Sequence, residues 1–263
     1  MPPRIAVEVH EGHGPHLLLV HGMLASRAAW MRNLDSLAEV ARPVVVELWG
    51  HGRSPSPDDP ADYEPAGYVA ELERVRASLG ADRWFVCGLS LGGAIALRYA
   101  LDVPDRVIGT IFTNSNSALG DAGYVARLAP LVEADAARIE ADGRRVLERH
   151  PLNPGRGRRL PDDVRSALAA DCAAHDPAGV ARTFRHTVPT SSVRDRLHAH
   201  RRPALLVVGE RERAFAEGRA FAESTIPGLR VVPADAGHAV NIEAAATFND
   251  AVRSFVGEVV DSG

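Results

Sequence analysis

A chain of 263 residues with 46% hydrophobic and 24% charged residues has a globular composition and enough length to bury a sizeable core. Its formal net charge of -4 argues against a nucleic-acid footprint and against a polybasic membrane patch. All 30 basic residues are arginine, and the lack of any lysine removes Schiff-base chemistry of the pyridoxal-phosphate or lysine-aldolase kind.

Two cysteines, Cys87 and Cys172, are too few for a disulfide framework, and Cys87 reads as a small apolar residue in a buried strand. No apolar stretch of leader length follows Met1-Pro2-Pro3-Arg4, and the longest apolar runs are strand-length. A cytoplasmic protein without a signal peptide or membrane span is therefore expected.

In chain order, Arg4 to His10 alternates like an edge strand, and Leu17 to Val20 is continuously apolar, like a buried one. Ser26 is a candidate N-cap for a helix running to about Val40, with Ala28, Ala29, Leu34, Leu37 and Ala38 on its apolar face. Val44 to Leu48 reads as a strand, Pro65 to Leu79 as a helix ended by Gly80, and Trp84 to Cys87 as a strand. Further strands are expected at Val107 to Thr113, Ala204 to Val208 and Leu229 to Val232, with a closing helix from Glu243 to Val259. Strands alternating with helices, and continuous rather than alternating apolar strands, indicate an α/β fold with a mostly parallel sheet covered on both faces. The stretch 117–201 breaks that rhythm. Its helix-like runs, Ala122–Ala134, Ala136–Arg149, Asp162–Ala174 and Pro177–Thr187, read as a helical cap inserted into a core formed by 1–116 and 202–263.

The chemistry centres on Cys87-Gly88-Leu89-Ser90-Leu91-Gly92-Gly93, which lies between an apolar strand and an Ala/Leu-rich helix. As strand, sharp turn and helix, it lifts the Ser90 hydroxyl to the apex of a turn that only small neighbours allow. Three further segments follow apolar strands: His21-Gly22-Met23-Leu24, Gly209-Glu210-Arg211-Glu212 and Ala236-Gly237-His238. All four therefore sit just past strand C-termini, where open α/β sheets bind ligands. The chain order is serine, acid, histidine.

On these segments, together with Trp49-Gly50-His51-Gly52-Arg53-Ser54, the chain resembles the α/β-hydrolase superfamily of the capped esterase, lactonase and cofactor-free haloperoxidase type. One strand precedes the His21 loop where relatives usually have two, so the first edge strand is expected to be missing. The resemblance implies Ser90 as nucleophile, His238 as general base and Glu212 as the acid that orients the histidine. Glu212 stands where relatives more often carry Asp, and Glu210 and Asp235 remain rivals. It also implies an oxyanion hole from the backbone N–H groups of Met23 and Leu91. Leu24, Trp49, Asn114 and Ala239 adjoin these loops as candidate substrate-binding residues, and Asn114-Ser115-Asn116-Ser117 forms a polar run entering the cap.

Other features have bland readings. His21 and His51 brace their loops; His10, His13 and His16 read as solvated; His175, His186, His198 and His200 are expected to face solvent. Arg156, Arg158 and Arg159 read as a solvated loop, with contact to a substrate carboxylate as the sharper reading. With no zinc, dinucleotide or Walker motif, neither a metal nor a cofactor is expected. The expected partner is a small-molecule ester or lactone, with no nucleic acid and no membrane, and nothing in the sequence fixes an oligomeric state. The function read is a serine hydrolase of a small carboxylic ester or lactone. A menaquinone-pathway-like elimination is disfavoured by Ala94, where those relatives carry Arg. A carbon–carbon bond hydrolase is disfavoured by Ala239, where those carry Trp. Ser at position 90 argues against haloalkane dehalogenases and epoxide hydrolases, whose relatives use Asp there, and a non-catalytic binding protein is the reading outside enzymology.

Overall fold

Continuous apolar strands need cover on both faces, and in this chain they form the middle of a seven-stranded sheet. The structure is a computed structural model describing residues 4–262; residues 1–3 and 263 lie outside the described residues, and so does any expectation resting on Met1-Pro2-Pro3. The strands are β1 (Val7–Val9), β2 (His16–Val20), β3 (Arg42–Val46), β4 (Trp84–Gly88), β5 (Val107–Phe112), β6 (Ala204–Gly209) and β7 (Arg230–Ala234). Their order is β1-β3-β2-β4-β5-β6-β7. Only β1 runs antiparallel, as the edge strand beside β3. β1 is the one strand ahead of β2, whose end leads into the His21 loop, and it forms the edge of the sheet. The longer helices are α1 (Pro65–Ser78), α2 (Leu91–Asp102), α3 (Ala122–Asp142), α4 (Asp162–Cys172), α5 (Ala216–Thr225) and α6 (Ala245–Asp261).

The strand period of two divides the sheet between two cores. Leu17, Leu19, Phe85 and Cys87 face a cluster completed by Trp30, Phe248 and Phe255. Leu18, Val20, Trp84 and Val86 face the opposite way, onto Tyr68, Ile95 and Tyr99 of α1 and α2. Each fully buried aliphatic side chain in these layers contributes about 1.5–3 kcal/mol by leaving water. Both cysteines are buried and free, and burial pushes the Cys87 thiol up.

Three helical expectations change. The helix expected from Ser26 to Val40 is two pieces, a 3₁₀ turn Arg27–Trp30 and a short helix Leu34–Ala38. Ser26 does cap the first, accepting from Ala28 N. The break falls at Asn33, whose side chain is claimed by Asn241 O (2.9 Å) and Asn249 Oδ1 (2.8 Å), so a buried polar cluster overrides helical propensity. Helix α3 continues through the expected break near Ala134 and through Pro130 to stop at Gly143, whose φ of +62° ends it. The closing helix starts at Ala245, after a separate turn Val240–Glu243.

Between β5 and β6 the described residues from Asn116 to Ala199 form helices and turns and no strand. This segment is tied to the core at several points. Ser26 Oγ donates to Asp171 Oδ2 (2.7 Å), Asp176 N donates to Gly50 O (2.9 Å), and Thr187 Oγ1 donates to Tyr63 O (2.6 Å). Among the described residues no helix is long and apolar enough to cross a membrane. A Leu19→Ala substitution removes a side chain with 0% exposure and should cost about 2–5 kcal/mol in urea unfolding, whereas Val260→Ala, on a half-exposed position, should stay within about 0.5 kcal/mol.

Candidate active site

The strand order reverses at β2: the chain leaves it for β3 on one side and later returns to β4 on the other. That switch point opens a crevice at the C-terminal ends of β2 and β4. Ser90 enters it on a turn with φ +53° and ψ -115°, a left-handed conformation worth about 1–3 kcal/mol of strain in a non-glycine residue. The glycines beside it make the turn possible. A Cβ on Gly88 would collide with the Gly92 carbonyl, and one on Gly92 would lie 2.6 Å from His21 O and closer still to Val20 O. Backbone bonds from Leu89 N to Val20 O (3.0 Å) and from Gly92 N to Leu89 O (2.8 Å) fix the bend, and Ser115 Oγ donates to Ser90 O (2.6 Å).

The acid and the histidine arrive from β6 and β7. His238 Nδ1 donates to Glu212 Oε2 at 2.9 Å, which leaves Nε2 of the neutral ring with its lone pair. Asn114 Nδ2 donates to the same Oε2 (2.8 Å) and Asn116 Nδ2 to Oε1 (3.1 Å). Asn114 is itself locked to Gly209 by a bond in each direction, of 3.0 and 2.9 Å. Burial pushes the Glu212 carboxyl up, but hydrogen bonds from His238, Asn114 and Asn116 outweigh it and hold the group below the usual carboxylate range. The rivals lie elsewhere. Glu210 is exposed near Arg219 (3.9 Å), and Asp235 is exposed beside Arg211 (3.4 Å).

Ser90, Met23, Leu91, Glu212, His238 and Ala239 line one cavity of about 1050 Å³. Met23 follows Gly22, whose added Cβ would stand 3.8 Å from Ser90 Oγ, so the β2 loop runs directly past the serine. Among the described residues no hydrogen bond joins Ser90 Oγ to His238; such bonds commonly tighten only once substrate is bound. Leu128, Leu131, Val132, Phe184 and Val188 supply an apolar wall, and Arg156, Arg158 and Arg159 a cationic one. Leu24, Trp49 and Asn114 do not line the cavity. Leu24 plugs a cluster with Val132, Ile139 and Phe184, Trp49 is core, and Asn114 is the buried clamp on Glu212. In the sequence Asn116 stands out only as part of a polar run, and its i+2 spacing from Asn114 just past a strand end is the signal that pairs them.

Three histidines brace the β2 loop from behind. Leu24 has a φ of +55°, and its N–H donates to His51 Nε2 (3.3 Å) while its carbonyl accepts from His175 Nε2 (3.3 Å). His51 Nδ1 donates to Trp49 O (2.9 Å), and His175 Nδ1 accepts from Gly52 N (2.9 Å). His21 donates to Gly22 O (2.7 Å) and accepts from Leu48 N (3.0 Å). Each ring thus needs one bare nitrogen, so each must stay neutral. Burial drives all three below the ordinary histidine value, His21 to about 4. The expectation that His175 and His200 face solvent fails: both are buried, His200 with Nε2 3.2 Å from Thr110 Oγ1 and likewise pushed down to about 4. Neither lies in an apolar periodic pattern that would have marked it as core.

A model of the family described as alpha/beta hydrolase fold matches residues 15–245. The chain belongs to the alpha/beta hydrolase fold family. Among solved structures, this α/β-hydrolase is similar to the enol-lactonase from Burkholderia xenovorans LB400, with 23% identity, 96% of each chain covered and a TM-score of 0.82. It is also similar to MenH from S. aureus, with 18% identity, 98% of this chain and 99% of that chain covered and a TM-score of 0.84. At such identities the likeness is one of fold. Among curated relatives, an uncharacterized protein of Mycobacterium bovis is 32% identical over 120 residues, 46% of this chain and 35% of the relative's own length. Among the described residues no group of three or more His, Cys, Asp or Glu is arranged to hold a metal ion.

The buried neutral histidines set a pH dependence of stability. With folded values below about 6.5, the unfolded chain binds more protons than the folded one as pH falls, so stability is complete above about pH 6.5 and declines toward pH 4. Thermal melts followed by circular dichroism should be flat from pH 7 to 8 and drop progressively below 6.5.

Proposed function

We propose that the protein is a serine hydrolase that cleaves a small carboxylic ester or lactone through Ser90, His238 and Glu212. The observation that carries this reading is the 2.9 Å bond from His238 Nδ1 to Glu212 Oε2, at the rim of the cavity that Ser90 lines. In the proposed cycle Ser90 Oγ attacks the carbonyl carbon and gives its proton to His238 Nε2. The N–H groups of Met23 and Leu91 donate to the oxygen that becomes negative; one such donor is worth about 3 kcal/mol in the transition state. His238 then protonates the departing alkoxide as its C–O bond breaks, leaving acyl-Ser90. A water molecule, deprotonated by the same histidine, attacks the acyl carbon, and the proton returns to Ser90 Oγ as the acid leaves.

The glutamate is consistent with this chemistry. Its extra methylene relative to aspartate adds a rotatable bond, and the donors Asn114 and Asn116 restrain the longer side chain on both oxygens. The helical segment between β5 and β6 acts in this reading as a cap, its apolar residues Leu128 and Phe184 excluding water from the acyl group.

A fluorophosphonate probe should label the folded protein at Ser90, as read by peptide mass spectrometry; absence of labelling would sink the acyl-transfer reading. Ser90→Ala and His238→Ala should each lower kcat on a 4-nitrophenyl ester by about a thousandfold or more, with similar losses because the groups act as a unit. Glu212→Gln should also reduce kcat severely, and full activity in that variant would move the acid elsewhere.

A further inference from the structure

The cavity's charges are unevenly partnered. Its carboxylates are all engaged. Glu212 holds His238, Asp135 holds Arg138 (2.9 Å), and Glu243 accepts from Gly237 N (3.0 Å) and Arg211 (3.3 Å). Its cationic wall is not. Arg156, Arg158 and Arg159 line the same cavity, and among the described residues none of the three guanidiniums has an ion pair or a hydrogen-bond acceptor. Three unpaired guanidiniums within four residues repel one another, in a protein whose net charge is -4.

They are also mounted on a fixed base. Asn153 Oδ1 accepts from Gly155 N (2.9 Å), while its amide donates to Leu147 O (3.1 Å) and to Cys172 Sγ (3.3 Å) of α4. Gly157 N closes a turn onto Pro154 O (2.8 Å), and Leu160 anchors the far end in the main core. The loop reaches the reacting end of the cavity, because Arg159 Nη1 would lie 3.4 Å from a Cβ on Gly237, the neighbour of His238. A mobile surface loop has neither the anchoring nor the position.

We infer that Arg156, Arg158 and Arg159 form an anion subsite, and that the substrate is an ester or lactone carrying an oxyanion group, carboxylate or phosphate, in the same molecule. The substrate assignment rests on the hydrolase reading proposed above; the subsite itself does not. Guanidinium forks bind carboxylate and phosphate oxygens in pairs, and three exposed, unpaired cations lining one open cavity attract anions to it. The apolar residues that line the same cavity take the carbon chain between the anion and the scissile bond.

The test compares 4-nitrophenyl hydrogen glutarate with its neutral methyl ester, 4-nitrophenyl methyl glutarate, on the full chain and on Arg156→Gln, Arg158→Gln and Arg159→Gln. The native protein should favour the anionic ester in kcat/KM, and the anionic-to-neutral ratio should fall about tenfold or more in at least one variant and collapse toward unity in the triple variant. Unfolding midpoints report whether each variant folds. A second readout needs no turnover: glutarate and inorganic phosphate are titrated calorimetrically into Ser90→Ala protein, with and without the triple replacement. Arginine-dependent binding supports the subsite, and the tighter of the two anions identifies its source. If neither ester is cleaved but glutarate or phosphate binds through the arginines, the hydrolase reading fails and the subsite stands. If both esters are cleaved with a ratio near one and neither anion binds, the subsite is overturned and the hydrolase reading stands.

Discussion

The close approach of Gly88 and Gly92 is the constraint on which the rest depends. With no side chain at either position, the chain turns from β4 into α2 within a few residues and holds Ser90 in a left-handed conformation at the crevice. The same absence of side chains lets the start of α2 sit against the carbonyls of Val20 and His21, which brings the β2 loop beside the serine. Sheet, turn and loop are therefore one mechanical unit. Strain at Ser90 is sustained by the buried parallel strands on either side rather than by local preference.

A second such unit lies behind it. Leu24 also has a positive φ, and two neutral imidazoles satisfy its N–H and its carbonyl. One of those rings, His175, comes from the helical segment rather than from the sheet. The loop carrying Met23 is thus held jointly by core and insertion, and the buried histidines that hold it make the arrangement sensitive to acid. On the far side, Asn114 links Glu212 to Gly209, so the carboxylate is positioned by the end of β5 as well as by its own loop. These supports are polar and buried, and each works because its partners are present in full.

The mostly parallel sheet and the places where β2, β4, β6 and β7 end were legible in the sequence, because long apolar runs bounded by Gly and polar residues specify buried strands largely by themselves. The helix boundaries were less so. Asn33 and Gly143 ended or broke helices for reasons of tertiary bonding and of backbone conformation that periodicity does not report. Leu24 and Trp49 adjoin motif loops in sequence yet point into cores. Arg156, Arg158 and Arg159 looked like an ordinary polar loop and turned out to line the cavity.

By itself, then, the sequence determined the order of the strands' chemistry: a serine after β4, an acid after β6, a histidine after β7, with glycines where the backbone must pass closely. It could do so because these features are local, each needing only a strand end and the small residues beside it. Which carboxylate meets His238, which asparagines restrain it, which histidines are buried and which arginines face the cavity were decided only in three dimensions. Those are relations between residues far apart in the chain, from 26 for Glu212 and His238 to 151 for Leu24 and His175, and packing of the helical segment onto the sheet creates many of them.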